Sequence, residues 1–323
     1  MLTKRTLIKA IAGAVTLAMA MPAMAQGEFP DKPIRLIVPY SPGGGTDVTA
    51  RIVADAMVKH LPQPIVIENR SGASGTVGTL LAKQEAADGY TLLFGIQASL
   101  ALNPSLFKAA KYDAKTDFVG ISLLTESPYV ITVPGDSSIM DYEDFKAAAN
   151  ERLTIANGGS AALLASRLLA RQADLSFTNI PYSGSGAAIS DILAGRVNAM
   201  ISSPVSVLPH IASGALRPIL VTSGERYPAL PDTPTAQELG FDGFDVSGWY
   251  SIVAPAGLPK DRQKLLSEAF NAALSDEDTR TRLVQAGVTP SARALDGAGT
   301  SAFIETEIDR WSTEISEAGI EAK

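Results

Sequence analysis

The sequence predicts an α/β fold of two lobes, each a mainly parallel sheet flanked by helices, with a cleft between them. Three observations carry this. Short β-branched runs alternate with amphipathic helical patterns. The alternation restarts near Tyr129. The chain then closes with three helical patterns that need a sheet to cover.

In chain order, Ile34–Pro39 reads as the first strand, and Val48, Ile52, Val53, Ala56 and Met57 mark one face of the helix after it. A second strand is predicted over 65–68, a helix over 76–86 and a third strand over 91–95. Strand, helix, strand in succession argues a parallel sheet covered on both faces. In the second half, strands are predicted over 129–133, 153–156, 179–182, 197–201 and 219–222, with helices over 142–149, 161–171 and 187–193. The Pro-rich stretch 227–234 reads as a surface excursion. A strand over 249–253 precedes helices over 262–274, 276–285 and 301–318.

The first half holds only three short strand–helix units before Pro104, so the economical arrangement returns the C-terminus to it. Domain 1 is then discontinuous, 26–127 plus 248–323, and domain 2 is 128–247. Crossings near Leu123–Pro128 and Val246–Trp249 make a hinge, and a ligand would sit in the cleft.

The first 25 residues read as a cleavable leader. Lys4, Arg5 and Lys9 form a positive start, and Ala10–Met21 is apolar but too short to span a bilayer. Ala23-Met24-Ala25 fits a small-residue cleavage site, so the mature chain is expected to start at Gln26 as an exported protein. Removing three of the 27 basic residues leaves 24 against 34 acidic ones, a mature net charge of −10. An acidic chain without basic runs argues against nucleic-acid binding. No cysteine exists, which removes disulfides, thiolate nucleophiles and cysteine-held metals. The two histidines, His60 and His210, are isolated, so no metal or other cofactor site is predicted.

Small polar loops recur at the carboxyl ends of the predicted strands, where open α/β sheets bind ligands. The most distinctive is Tyr40-Ser41-Pro42-Gly43-Gly44-Gly45-Thr46-Asp47. Its glycines admit close backbone approach, Thr46 is placed to cap the next helix, and the free N–H groups there attract an anion. Asp47 is expected to face the helix's first turn or hold a water. The stretch matches neither phosphate-loop nor dinucleotide spacing. A Val at Gly44 is expected to block the ligand. Gln97, Ala98 and Ser99 follow the third strand. Asn157, Gly158, Ser160 and Ala161 follow a second-half strand, as do Tyr182, Ser183 and Ser185, and Ser203 follows another. Gly72, Gly75 and Gly78 are assigned to tight helix–sheet packing.

The motifs KPIRLIVPYSPGGGTDVTAR, IVIENRSGASGTVG, ADGYTLLFG, LNPSLF, PYSGSGAAISDILAGRVNAM, LPHIASGALRPILVTS, PALPDTPTAQELG and GWYSIVAPAGLP occur in this order along the mature chain. In them the chain resembles the substrate-binding proteins of the tripartite tricarboxylate transporter family, the Bug receptors. The resemblance implies a monomeric periplasmic Venus-flytrap receptor that delivers a small organic carboxylate to the transporter's membrane subunits. It implies that 40–47 and 97–99 hold one carboxylate, often through waters, and that 157–162 and 182–185 hold the rest. Trp249 is implied either as a cleft wall or as hinge packing. Two departures stand out. Leu163 replaces a His common in the family, and Ser202-Ser203 replaces an acid–amide pair. Both remove polar groups from domain 2. Without an acid there, a buried ammonium would lack a partner. The expected ligand is therefore a di- or tricarboxylate or an aromatic acid, not an amino acid.

The rival class is a secreted hydrolase with its active site in the cleft. The chain offers no GxSxG elbow, and neither histidine is placed as a base by its sequence context.

Overall fold

The computed structural model describes residues 29–182, 184–293, 295–317 and 321–322. The expected leader and its cleavage point lie outside them, as do Ser183 and Ala318. The first half gives β1 (Ile34–Val38), β2 (Ile65–Asn69), β3 (Thr91–Ile96) and β4 (Phe118–Pro128). Then come β5 (Val130–Pro134), β6 (Thr154–Asn157), β7 (Thr178–Pro181), β8 (Ala199–Ser202), β9 (Leu216–Val221) and β10 (Ser247–Pro255).

Two five-stranded sheets result, ordered β2-β1-β3-β10-β4 and β7-β6-β8-β5-β9. In the first, β10 runs antiparallel to β3 and β4 while β1 pairs parallel with β2 and β3. In the second, β5 runs antiparallel to β8 and β9 while β6 pairs parallel with β7 and β8. Each sheet thus has four strands in one direction and one opposed. These are the mainly parallel sheets expected, and the crossings account for the one opposed strand in each. Strands that end at the cleft send the chain through it, so the next strand enters the other lobe running away from the cleft. β5 follows β4, and β10 returns from the second sheet, in this way.

The predicted helices form, with shifted ends: Gly45–Ala56, Thr76–Lys83, Tyr142–Ala149, Ser160–Gln172, Ser185–Leu193, Lys260–Ser275, Glu277–Gln285 and Gly297–Glu317. The last packs Ile304, Trp311 and Ile315 into the core. It comes close over β4 at Gly120, where a Cβ would stand 2.6 Å from the Ser301 backbone nitrogen.

Three features differ from expectation. The crossing at 118–128 is a full strand, paired along its length with β10. A helix forms over Pro204–Ala212, which two prolines had hidden. Pro204 takes the helix start, where a missing N–H costs nothing. The Pro-rich stretch is tied down: Tyr227 is buried and donates its hydroxyl to the Gly287 carbonyl at 2.9 Å.

Candidate ligand-binding site

Between the two sheets lies a cavity of about 440 Å³. Its walls come from the loop 40–46, from 96–98, from the crossing strands and from the loops after β6, β7 and β8. Among the described residues, no Asp, Glu, Lys, Arg or His lines it.

Four helices begin at this cavity: Gly45–Ala56, Ser160–Gln172, Ser185–Leu193 and Pro204–Ala212. Their N-caps are Gly44, Gly159, Gly184 and Ser203, and none receives a side-chain cap. Elsewhere, Asp113, Asp141 and Asp276 cap their own helices. The uncapped first turns leave backbone donors and partial positive charge facing the cavity. Thr46 therefore does not cap the helix, contrary to expectation; it sits inside it, on the cavity wall.

The structure places Tyr40, Ser41, Gly43, Gly44, Gly45, Thr46, Gln97, Ala98, Gly158, Ala161 and Ser203 on this wall. Five other candidates stand behind it. Asp47 is buried and accepts from Gly43 N at 2.9 Å, from Arg51 Nε at 2.9 Å and from Asn69 Nδ2 at 2.8 Å. Burial opposes its charge, but those donors outweigh burial and hold its pKa below the usual carboxylate range. Asp47 thus shapes the loop from behind. Ser99 Oγ bonds the Ile96 carbonyl at 3.3 Å. Asn157 Nδ2 donates to Asn179 Oδ1 at 2.9 Å, with its Oδ1 buried and unpaired. Tyr182 donates to Asp191 at 2.6 Å. Ser160 Oγ reaches the other lobe, donating to Asn103 Oδ1 at 2.8 Å. Ser183 lies outside the described residues.

The lobes meet around the cavity. A Cβ at Gly45 would stand 3.1 Å from Val205 Cβ and 3.3 Å from Ser203 Oγ, both from the other lobe. At Gly44 it would meet only the Ser41 carbonyl, at 3.8 Å. The tight point between the lobes is thus Gly45, while Gly44 leaves open space on the cavity side. Gly78 fits its packing assignment, since a Cβ there would come within 2.9 Å of Pro39 Cα.

Sequence reasoning missed much of the remaining wall: Thr125, Ser127, Tyr129, Ser202, Ser206 and Tyr250. Ser185 Oγ and Ser202 Oγ bond each other at 2.8 Å. Gln97 Nε2 holds the Ser247 carbonyl at 2.8 Å, and Tyr129 donates to Gln97 Oε1 at 3.5 Å. Burial pushes the Tyr40, Tyr129 and Tyr250 hydroxyls up, so they stay neutral donors. Trp249 lines the cavity and also anchors the hinge, donating its indole N–H to Glu307 at 2.8 Å. His60 and His210 are not among the lining residues.

The profile of the tripartite tricarboxylate transporter family receptors, TctC, matches residues 49–320. The chain belongs to this family. Among relatives, it is 37% identical to BugT of Bordetella pertussis, strain Tohama I, over 95% of each chain. Among solved structures, it resembles the periplasmic binding protein BugD, with a TM-score of 0.85 and 31% identity, covering 91% of this chain and 100% of that one. A protein of R. palustris solved with adipate gives a TM-score of 0.86 at 28% identity, with 92% and 100% covered. MatC of Rhodopseudomonas palustris, solved with malate, gives 0.82 at 32% identity, with 88% and 99% covered. The family and these neighbours are solute-binding receptors of two-lobed periplasmic-binding-protein fold. No helix among the described residues is long and apolar enough to cross a membrane.

Proposed function

We propose that this receptor captures a small organic carboxylate without a free amine in the cavity between its lobes. It delivers that ligand, without turnover, to the membrane subunits of a tripartite tricarboxylate transporter. The observation that carries the reading is the meeting of four uncapped helix starts at a cavity lined by no carboxyl, imidazole, ammonium or guanidinium group among the described residues. Backbone N–H groups and hydroxyls there suit carboxylate oxygens. An ammonium would be buried without a counter-charge. The adipate and malate held by two relatives support the same class.

In this reading the lobes are 26–127 with 248–323, and 128–247. The mature protein is a periplasmic monomer released by cleavage after Ala25. The ligand-holding set is the cavity wall from Tyr40 to Thr46, Gln97, Ala98, Gly158, Ala161 and Ser203, joined by Ser185 and Ser202. A thermal-shift panel of organic acids, amino acids and neutral sugars, followed by calorimetry, tests it. Saturation at a hundred times the dissociation constant adds about 2.7 kcal/mol of stability, a rise of several degrees. A response confined to amino acids or sugars would refute the carboxylate class. Turnover of a bound acid would refute the receptor reading.

A further inference from the structure

We infer that the cavity accepts a ligand of at most two negative charges, so a dicarboxylate is a ligand and a fully ionised tricarboxylate is not. This rests on the cavity as the carboxylate site; what it adds is the charge the site balances.

The first step is a census of charge. Among the described residues, no cationic side chain lines the cavity, so no guanidinium or ammonium meets a ligand carboxylate directly. Arg51, on the helix that follows the glycine loop, is not on the wall and is paired with Asp47 at 2.9 Å. The tyrosines of the wall are neutral donors held so by burial.

The positive potential left comes from the four uncapped helix starts. Each helix N-terminus carries roughly half an elementary charge, so four supply about two. They also fall into two groups. Gly45, at one helix start, sits against Ser203 and Val205 at another, across the lobes. Gly158, ahead of the third, packs against Ser185 of the fourth, with a Cβ there 3.2 Å from the Ser185 nitrogen. Two groups of donors, each near one charge, match two carboxylates. A third carboxylate would have no helix start left to it and would meet only hydroxyls on the wall, and an unpaired buried charge is costly.

Volume does not set this limit. The cavity of about 440 Å³ falls within the usual range for small-molecule sites, and one added carboxylate is small beside it. Charge and size therefore make different predictions, which pH separates. The last proton of a tricarboxylate leaves against two existing charges, so its pKa is raised to about 6. Near pH 6 a large share of propane-1,2,3-tricarboxylate is a dianion; near pH 8 almost none is.

The test is calorimetry of the mature protein with glutarate and propane-1,2,3-tricarboxylate at several values between about pH 6 and pH 8. Glutarate affinity should stay flat above about pH 6.5 and slip only slightly at about pH 6, where the ligand begins to take up a proton. Tricarboxylate affinity should fall by roughly tenfold per pH unit once its last carboxyl ionises, because only the dianion binds. A tricarboxylate that binds near pH 8 as tightly as glutarate would overturn the charge limit while leaving the carboxylate site standing. A tricarboxylate that is excluded equally at both ends of the range would show size as the limit and overturn it too. If no acid of any charge binds, the carboxylate reading fails and the limit with it.

Discussion

Ser160 Oγ donates to Asn103 Oδ1 at 2.8 Å, from one lobe to the other, beside the cavity. Asn103 is fully buried, and its Nδ2 is held by the Ser74 carbonyl at 2.9 Å. The bond can exist only while the lobes are together. Opening returns both groups to water, so the bond favours closure by its own worth and no more.

Ser160→Ala removes the donor and leaves Asn103 Oδ1 buried without a partner in the closed form. A lost partner of this kind costs about 1–3 kcal/mol. Ligand affinity should therefore fall by roughly tenfold, since binding draws on the closed form. The ligand-free melting temperature should barely move. Calorimetry and a thermal melt of the same variant check both. Unchanged affinity would mean that the bond contributes nothing to closure.

Gly45 offers a steric test of the same motion. A side chain there presses on Val205 and Ser203 of the opposite lobe, while one on Gly44 meets ordinary space. Gly45→Val should wedge the lobes, weakening ligand binding by about tenfold or more. Small-angle scattering should show ligand reducing the radius of gyration of the parent protein and of Gly44→Ala, but not of Gly45→Val. Equal compaction in all three would show that the lobes do not close at this contact.

How much of this was legible in the sequence depends on what periodicity can carry. The apolar runs at 34–38 and 91–96 are buried, the half-buried Arg35 apart, and read directly as strands. Strand direction was not legible, because a buried run looks the same either way along the sheet; it follows from the crossings. The strand at 118–128 interleaves Gly120, Ser122 and Thr125 with apolar residues, and all three are buried beneath β10 and the C-terminal elements. The glycine loop at 40–46 announced itself through composition. Tyr129 and Tyr250 did not: each reads as an ordinary strand residue, and only its place on a crossing brings it to the cavity. Ser185 and Ser202 are 17 positions apart and meet only because β8 lies beside the loop before a helix.

Glu307 gathers both tryptophans of the chain: Oε2 accepts the indole N–H of Trp249 at 2.8 Å and of Trp311 at 3.0 Å. One residue lies on the returning crossing and the other on the C-terminal helix, so this carboxylate ties the hinge to the first lobe. Glu307→Leu would leave two buried donors unpaired, at about 1–3 kcal/mol each. The melting temperature should drop by about 5 °C or more. Glu307→Gln keeps one acceptor and should lose less. A Leu variant as stable as the parent would show that water reaches both indoles.

The pH dependence follows from the same charge census. No carboxyl, imidazole or amine lines the cavity among the described residues, and burial raises the Tyr40, Tyr129 and Tyr250 hydroxyls. For a tyrosine raised in this way, the stabilising contribution is complete below the unfolded value of about 10. It is lost as pH climbs through the folded one. Asp47 has the opposite sign. Its pKa is lowered, so its contribution is present above about pH 4 and disappears as the carboxylate protonates in stronger acid. Affinity for a fully ionised dicarboxylate should therefore be flat between about pH 6.5 and pH 9. It should fall below that range as the ligand itself takes up protons, while the wall tyrosines, raised by burial, remain neutral donors past about pH 10. Calorimetric titrations across that span, with far-ultraviolet spectra to track the fold, measure it. A bell-shaped profile centred near neutrality would place an ionisable protein group at the ligand and contradict the geometry.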